Sequence, residues 1–297
     1  VLLFLHTQFW VGHVAVGQLY LVIPVCTLLL CFILFKNNWL PGALLAGWLA
    51  ASLVLIRPNF LVFFLPFLLI LPQFSRKYLG IAAAAFMMVF VIAFAGHQSR
   101  QYWSSYNKAM KEHVKVHQGD FGSLIEVDKF SLQSWEGWNF AGKSYTHSNY
   151  PSYAENGNVF VLIKQLFHKK AGVNTLAALF ALLTISLLFL YYFKNKKVQG
   201  FSLASAALLG YCLYMASDIF SPVHRHLYYG VQWLFPLLWV TALCPLRRYQ
   251  VLLLLTGLLL SVSIPRLLPM QATAGEYLIF ATFLAILFIN KPVSQIK

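Results

Sequence analysis

The chain has 297 residues, of which 60% are hydrophobic and 10% are charged, and its mean hydropathy is +0.69. A soluble domain carries about 25% charged residues, so this composition excludes a water-soluble globular protein and favours one embedded in lipid. The formal net charge of +14 does not by itself predict nucleic-acid binding, because membrane proteins accumulate lysine and arginine for reasons of topology.

Apolar stretches recur along the whole chain. A helix needs about 20 mostly apolar residues to cross the hydrocarbon of a bilayer. We therefore expect an all-α integral membrane protein in which residues 1–297 form a single polytopic domain of about nine transmembrane helices. The predicted spans are 17–35, 39–56, 59–74, 78–96, 173–193, 201–219, 227–245, 250–264 and 276–290.

The segment 97–172 is the one long polar stretch, and we expect it to be a large loop inserted between spans. Hydrophobic residues at helical spacing over 106–117 predict an amphipathic helix on the membrane surface. The apolar stretch 158–167 predicts a second interfacial helix. The Gly, Ser and Asn content of 119–153 is typical of an irregular loop.

The basic residues outside this loop fall mostly on one side of the predicted membrane. If every span crosses once, ten of them share a side, whereas Arg57, Arg225 and Arg266 lie on the other. This asymmetry marks the basic side as cytoplasmic and predicts that Val1 and residues 97–172 face away from it. The ten are Lys36, Arg76, Lys77, Lys194, Lys196, Lys197, Arg247, Arg248, Lys291 and Lys297.

Metal and disulfide chemistry have little support in the sequence. All four cysteines lie in apolar stretches and none forms a CxxC pair, so neither a disulfide framework nor a zinc site is indicated. His224 and His226 could form a metal pair, but a third ligand is not evident nearby. We predict no metal site and no cofactor, and leave a role for a divalent metal open.

Apart from the ten cytoplasmic basic residues, the ionisable residues near the spans lie on the extracytoplasmic side, which favours a site at the outer interface. Arginine and protonated histidine carry donors suited to phosphate oxygens, and we predict that four residues bind a phosphate. Asp218 precedes three of them and could pair with Arg225. The phosphate-binding candidates are Arg57, His224, Arg225 and His226, and the possible site-lining residues are His13, Gln18, Arg266 and Glu276. We expect Arg266 and Glu276 in the last outer loop.

Several landmarks, in order, resemble glycosyltransferase family 87, whose members are polyprenol-phosphate-dependent enzymes of the GT-C fold. Gly17-Gln18-Leu19-Tyr20 is similar to the family's Gly-Gln motif. The small-residue stretch 45–51 leads into Ile56-Arg57-Pro58, which resembles the family's basic residue followed by proline. Ser221-Pro222 with a downstream histidine resembles its Ser-Pro motif, and Asn156-Gly157-Asn158 resembles the entry to its later spans.

This resemblance implies a membrane glycosyltransferase. A mannose-like hexose would pass from a polyprenyl-phosphate sugar donor to a lipid or glycan acceptor at the extracytoplasmic face, with inversion. Arg57, His224, Arg225 and His226 would hold the donor phosphate. The family's catalytic aspartate lies in the first outer loop, so the resemblance implies an amino-terminally truncated chain. No acidic residue in this chain matches the family's catalytic base by its motif, and Asp218 is the fallback candidate.

The expected partners are therefore the polyprenyl-phosphate sugar donor, a lipid or glycan acceptor and membrane lipid, without nucleic acid. The expected location is a bacterial inner or plasma membrane, crossed many times. Three other interpretations fit the topology: an O-antigen ligase or polymerase, a lipid-linked oligosaccharide transporter, and a structural subunit without activity. The ligase would rely on Asp120 or on His113 and His117, and the transporter would need charged residues near the membrane midplane.

Overall fold

The computed structural model describes residues 2–7, 9–10, 14, 19–36, 39–118, 158–167, 169, 171–198, 201–222, 227–262 and 271–290. Over these residues the chain is all-α, and the one β-type contact is an isolated antiparallel bridge between Thr7 and Val262. The α-helices are α1 (Leu2–Leu5), α2 (Val22–Phe35), α3 (Leu40–Ile56), α4 (Arg76–Ala95), α5 (His97–Gln118), α6 (Val159–Phe167), α7 (Val173–Val198), α8 (Leu203–Ile219), α9 (Leu234–Leu243), α10 (Arg248–Leu260) and α11 (Gln271–Ile289). Stretches of 3-10 helix run over Leu19–Leu21, Pro58–Leu69, Leu71–Gln73 and Leu227–Trp233.

Each apolar stretch predicted from the sequence contains a described helix or 3-10 segment. Three helical stretches, Arg76–Ala95, Val173–Lys196 and Gln271–Ile289, are long and apolar enough to cross a membrane, and the other apolar helices have 10–17 residues. The prediction of an all-α fold is therefore confirmed for the described residues, and the three long helices are compatible with a membrane protein.

Helix α8 lies at the centre of the bundle, and most of its residues are buried. It packs against the 3-10 segment Pro58–Leu69 and against α2, α7, α9 and α11. Small residues permit this close packing, since a side chain at Gly210 would collide with the carbonyl group of Phe63. Aromatic rings fill the remaining space, and the Phe60 and Tyr214 ring centroids lie 4.9 Å apart. The sequence of α8 is thus suited to burial on every side.

The outer helices α4 and α7 leave large apolar side chains uncovered. On α4, Met88 and Ile92 are 56% and 67% exposed, and on α7 Leu182 and Ile185 are each 64% exposed. Apolar surface of this extent is costly in water and marks a protein or membrane contact. These two helices therefore present exposed apolar faces at the outside of the bundle.

The polar segment between α4 and α7 contains two of its predicted elements. Residues 106–117 fall within the longer helix α5, and residues 158–167 contain α6. Both are helices, as the sequence predicts. The predicted irregular loop 119–153 lies outside the described residues.

One end of the bundle is closed by polar contacts that join three helices. The Gln250 side chain donates to Asn290 Oδ1 at 2.9 Å, and Asn290 Nδ2 donates to the Pro245 carbonyl at 3.0 Å. Lys194 Nζ donates to the carbonyl oxygens of Leu287 at 2.5 Å and of Asn290 at 2.7 Å. These bonds hold the ends of α7 and α11 beside the start of α10.

The contact between α3 and α4 should be sensitive to a single methyl group at Gly47. A Cβ there would collide with the backbone carbonyl of Ala82, whereas a Cβ at Gly80 on α4 meets nothing within 4 Å. We expect Gly47→Ala to lower the free energy of unfolding by about 1–3 kcal/mol. Gly80→Ala should be neutral or stabilise by up to about 1 kcal/mol, because alanine favours helix. Thermal unfolding in detergent would measure both, and equal effects would contradict this packing.

Candidate functional site

The most strongly connected polar group in the described part of the chain is an ion pair between Arg57 and Asp218. Arg57 Nη2 donates to both carboxylate oxygens of Asp218, at 2.5 Å and 2.6 Å. The Arg57 side chain is 19% exposed and that of Asp218 is 7% exposed. The arginine is therefore the member of the pair more open to solvent.

The local sequence explains why Arg57 lies at a break between two helical segments. The residue before a proline is disfavoured in the α conformation, and Arg57 has extended backbone angles, φ −140° and ψ 95°. Pro58 then occupies the first turn of the next segment, where its missing N–H costs nothing. The break ends α3 and leaves the guanidinium beside the last turn of α8.

Asp218 lies in the last turn of α8, a position that the helix dipole makes unfavourable for a carboxylate. Further donors offset this cost. Asn59 Nδ2 donates to Asp218 Oδ1 at 2.8 Å and to Ser217 Oγ at 2.9 Å, and Ser217 Oγ donates to the Tyr214 carbonyl at 2.6 Å. The carboxylate is thus held by hydrogen bonds as well as by charge, as a buried ion requires.

Two tyrosine rings flank the guanidinium. Arg57 Cζ lies 5.1 Å from the Tyr20 ring centroid and 5.3 Å from that of Tyr229, within the range of cation–π attraction. Arg57 Nη1 also donates to Tyr20 Oη at 3.3 Å, and the two ring centroids are 4.4 Å apart. The cation therefore has a carboxylate on one side and aromatic faces around it.

The balance of these contacts keeps Arg57 charged. Burial of the guanidinium opposes its charge, but the carboxylate of Asp218 favours it, and the net effect raises the pKa of Arg57 above its ordinary value. The arginine is therefore a permanent cation at this end of the bundle.

A further layer of hydrogen bonds supports the tyrosines. Tyr214 Oη donates to Gln232 Oε1, and Gln232 Nε2 donates to the Tyr229 carbonyl at 3.1 Å. Nearby, Asn158 Nδ2 donates to the Ser221 carbonyl at 2.9 Å, which joins the start of α6 to the chain just after α8. The geometry of the pair thus depends on segments that are far apart in sequence.

Two predicted site residues, Arg57 and the fallback Asp218, are in direct contact. Arg57 binds the Asp218 carboxylate because the break at Pro58 brings the guanidinium beside α8. The possible pairing of Asp218 with Arg225 lies outside the described residues. Six other predicted residues lie outside the described part of the chain: His13, Gln18, His224, Arg225, His226 and Arg266.

The predicted placement of Glu276 in an outer loop is wrong. Glu276 lies within α11, is fully buried, and accepts a hydrogen bond from Trp233 Nε1 at 2.6 Å. Helix α11 begins at Gln271, before the predicted span 276–290. Glu276 can lie inside this helix because a hydrogen-bonded carboxylate can be buried in a helical bundle. This hydrogen bond joins α11 to the segment Leu227–Trp233.

Sequence reasoning missed the residues that complete the pair. Tyr20 and Asn59 lie inside stretches that the sequence singles out, but their roles were not predicted. Ser217 is adjacent to Asp218, and Tyr229 follows the histidines. Their proximity to charged residues was the available signal, but only the tertiary fold shows which side chains meet.

No group of three or more His, Cys, Asp or Glu side chains able to hold a metal occurs among the residues that the structure describes. Comparison of the chain with protein-family models gives no match, and comparisons with curated proteins and with solved structures give none either.

We expect the Arg57–Asp218 pair to be essential to stability, and the effects of substituting its two residues to be strongly non-additive. Asp218→Ala leaves a guanidinium without its carboxylate in an apolar setting, and Arg57→Ala leaves the carboxylate without its cation. Each change should cost about 3–5 kcal/mol of the free energy of unfolding. The double variant removes both charges and should cost much less than the sum of the two. Unfolding in detergent, followed by circular dichroism, would measure this.

Arg248→Ala is the matched control, because Arg248 is exposed at the start of α10, away from the pair. It should change stability by no more than about 0.5 kcal/mol. Additive effects of the Arg57 and Asp218 substitutions would show that the ion pair contributes little coupling energy.

Proposed function

We propose that the protein is a multi-pass enzyme of a bacterial plasma membrane, with about nine spans and a large extracytoplasmic loop over 97–172. Alternation of the apolar segments supports this topology. It assigns the start of α2, the end of α3 and the end of α8 to one membrane face, and these are the elements that bring Tyr20, Arg57 and Asp218 together. The basic residues that define the cytoplasmic side belong to the opposite face.

The activity that we propose is transfer of a hexose from a polyprenyl-phosphate sugar to a lipid or glycan acceptor, as in GT-C glycosyltransferases. One observation carries the proposal. Arg57 is a permanent cation, partly exposed at the proposed extracytoplasmic end, and its guanidinium lies among tyrosine rings. Arginine is the side chain best suited to bind phosphate oxygens through several parallel hydrogen bonds.

The neighbouring residues suggest how such a phosphate would be bound. Asp218 uses Nη2 of Arg57, so a phosphate would bind the guanidinium through its other N–H groups. His224, Arg225 and His226 follow Asp218 closely in sequence, and we propose that they supply further donors to the same phosphate. These donors would stabilise the negative charge that develops on the phosphate as the glycosidic bond breaks.

Asp218 has a different role in this scheme from that of a general base. Both oxygens of the Asp218 carboxylate accept hydrogen bonds from Arg57, and Oδ1 accepts a further one from Asn59. We propose that Asp218 positions Arg57 and that the base that activates the acceptor hydroxyl lies elsewhere.

Donor binding tests this proposal most simply. The full chain in lipid nanodiscs would be titrated with a polyprenyl-phosphate hexose, and its affinity compared with that of the variants Arg57→Gln and Arg225→Ala/His226→Ala. We expect each variant to bind at least about tenfold more weakly, because each loses charge-assisted hydrogen bonds to phosphate. Arg248→Gln, which removes an exposed cation from the opposite membrane face, should bind as the unmodified chain does.

Unchanged affinity in both variants would overturn the phosphate site. Transfer of labelled hexose by the full-length protein is the second readout. Variants that bind the donor more weakly should also transfer more slowly. Donor binding without transfer to any lipid or glycan acceptor would contradict the glycosyltransferase and favour a transporter of lipid-linked sugars.

A further inference from the structure

Helix α5 continues directly from α4, one of the three helices long and apolar enough to cross a membrane. Only Gly96 separates them, with an extended backbone at φ −78° and ψ 144°. A line of aromatic rings crosses this junction: the Phe94 and Trp103 centroids lie 5.2 Å apart, and those of Trp103 and Tyr106 lie 5.8 Å apart. Because Phe94 belongs to the last turn of α4, this contact places Trp103 at the level where α4 leaves the apolar layer.

One arc of α5 carries aromatic and apolar side chains. At about 100° per residue, Trp103, Tyr106 and Met110 fall within an arc of about 60°. Trp103 and Met110 are half-buried, and Tyr106 is 42% exposed. Tryptophan and tyrosine concentrate at the boundary between hydrocarbon and water. This arc is therefore suited to lie in that boundary.

A second arc of the same helix is cationic. Arg100, Lys108 and Lys111 fall within about 80° of one another, and all three are exposed. Long basic side chains keep their stems along apolar surface while their charges reach the headgroup layer. Glu112 is the one acidic residue in the sequence of α5, which makes the helix cationic as a whole.

We infer that α5 is an interfacial helix that binds anionic lipid headgroups through Arg100, Lys108 and Lys111. The direct continuation from α4 and the Phe94–Trp103 contact place α5 at the depth of the membrane–water boundary. The exposed cations on α5 favour lipids with anionic headgroups. On the proposed topology, the lipids belong to the extracytoplasmic leaflet. The inference depends on α4 crossing the membrane and does not depend on glycosyl transfer.

Site-directed spin labelling of the full chain in nanodiscs tests both parts of the proposal. Nitroxides would be attached in turn at Met110→Cys, in the apolar arc, and at Gln101→Cys, nearly opposite on the helix, with the four native cysteines replaced by alanine. The label at 110 should collide more with oxygen than with a water-soluble nickel chelate, and the label at 101 should show the reverse. Equal exposure of the two labels to the chelate would overturn the interfacial helix.

Lipid selectivity is measured by titrating phosphatidylglycerol into phosphatidylcholine nanodiscs. The label at 110 should lose mobility as the anionic fraction rises. The anionic fraction needed for half of this change should increase at least fivefold in Arg100→Gln/Lys108→Gln/Lys111→Gln, since each cation near a membrane surface contributes about fivefold in affinity. Helix content and elution volume, matched to the parent chain, would confirm that the variant is folded.

The variant Lys36→Gln/Arg76→Gln/Lys77→Gln is the matched control, because it removes the same charge from exposed positions elsewhere on the chain. Its titration should follow that of the parent chain. The same lipid dependence in the α5 variant as in the parent, or no dependence in either, would overturn the lipid site. Immobilisation that requires a soluble polyanion such as polyphosphate would assign the cationic arc to a soluble partner and would also overturn it.

Discussion

A charge inside an apolar helical bundle persists only if it is paired and hydrogen-bonded, and the Arg57–Asp218 pair satisfies this requirement. The pair connects segments that are distant in sequence: the break after α3, the end of α8, the start of α2 through Tyr20, and the segment before α9 through Tyr229. Neither charge could remain without the other. The arrangement of this end of the bundle therefore depends on one ion pair.

The same pair limits what the site can do. Both oxygens of Asp218 accept bonds from Arg57, so the acid is occupied, whereas the guanidinium is more exposed and is surrounded by aromatic faces. Such an arginine can bind an anion through its exposed part, whereas both oxygens of the carboxylate are already engaged by donors. The fold thus favours binding of negative charge at Arg57, which is the basis of the proposed donor-phosphate site.

The apolar pattern predicts where helices form, because a long run of hydrophobic residues favours a helix whichever segments it packs against. It could not predict side-chain pairing. Arg57 and Asp218 are separated by 161 residues, and Arg225 was the nearer candidate partner in sequence. The sequence predicts Glu276 in a loop, at the edge of the span 276–290, whereas the indole of Trp233 binds it inside α11. Tyr20 and Tyr229 were missed because nothing in the sequence indicates which rings meet the guanidinium.

We propose that Arg57 binds the donor phosphate while it remains paired with Asp218. An experimental structure of the full chain in a nanodisc with a polyprenyl-phosphate hexose tests this most directly. We expect a phosphate within hydrogen-bond distance of the Arg57 guanidinium, on the side away from Asp218. A phosphate bound elsewhere, with Arg57 still enclosed by Asp218, Tyr20 and Tyr229, would contradict it.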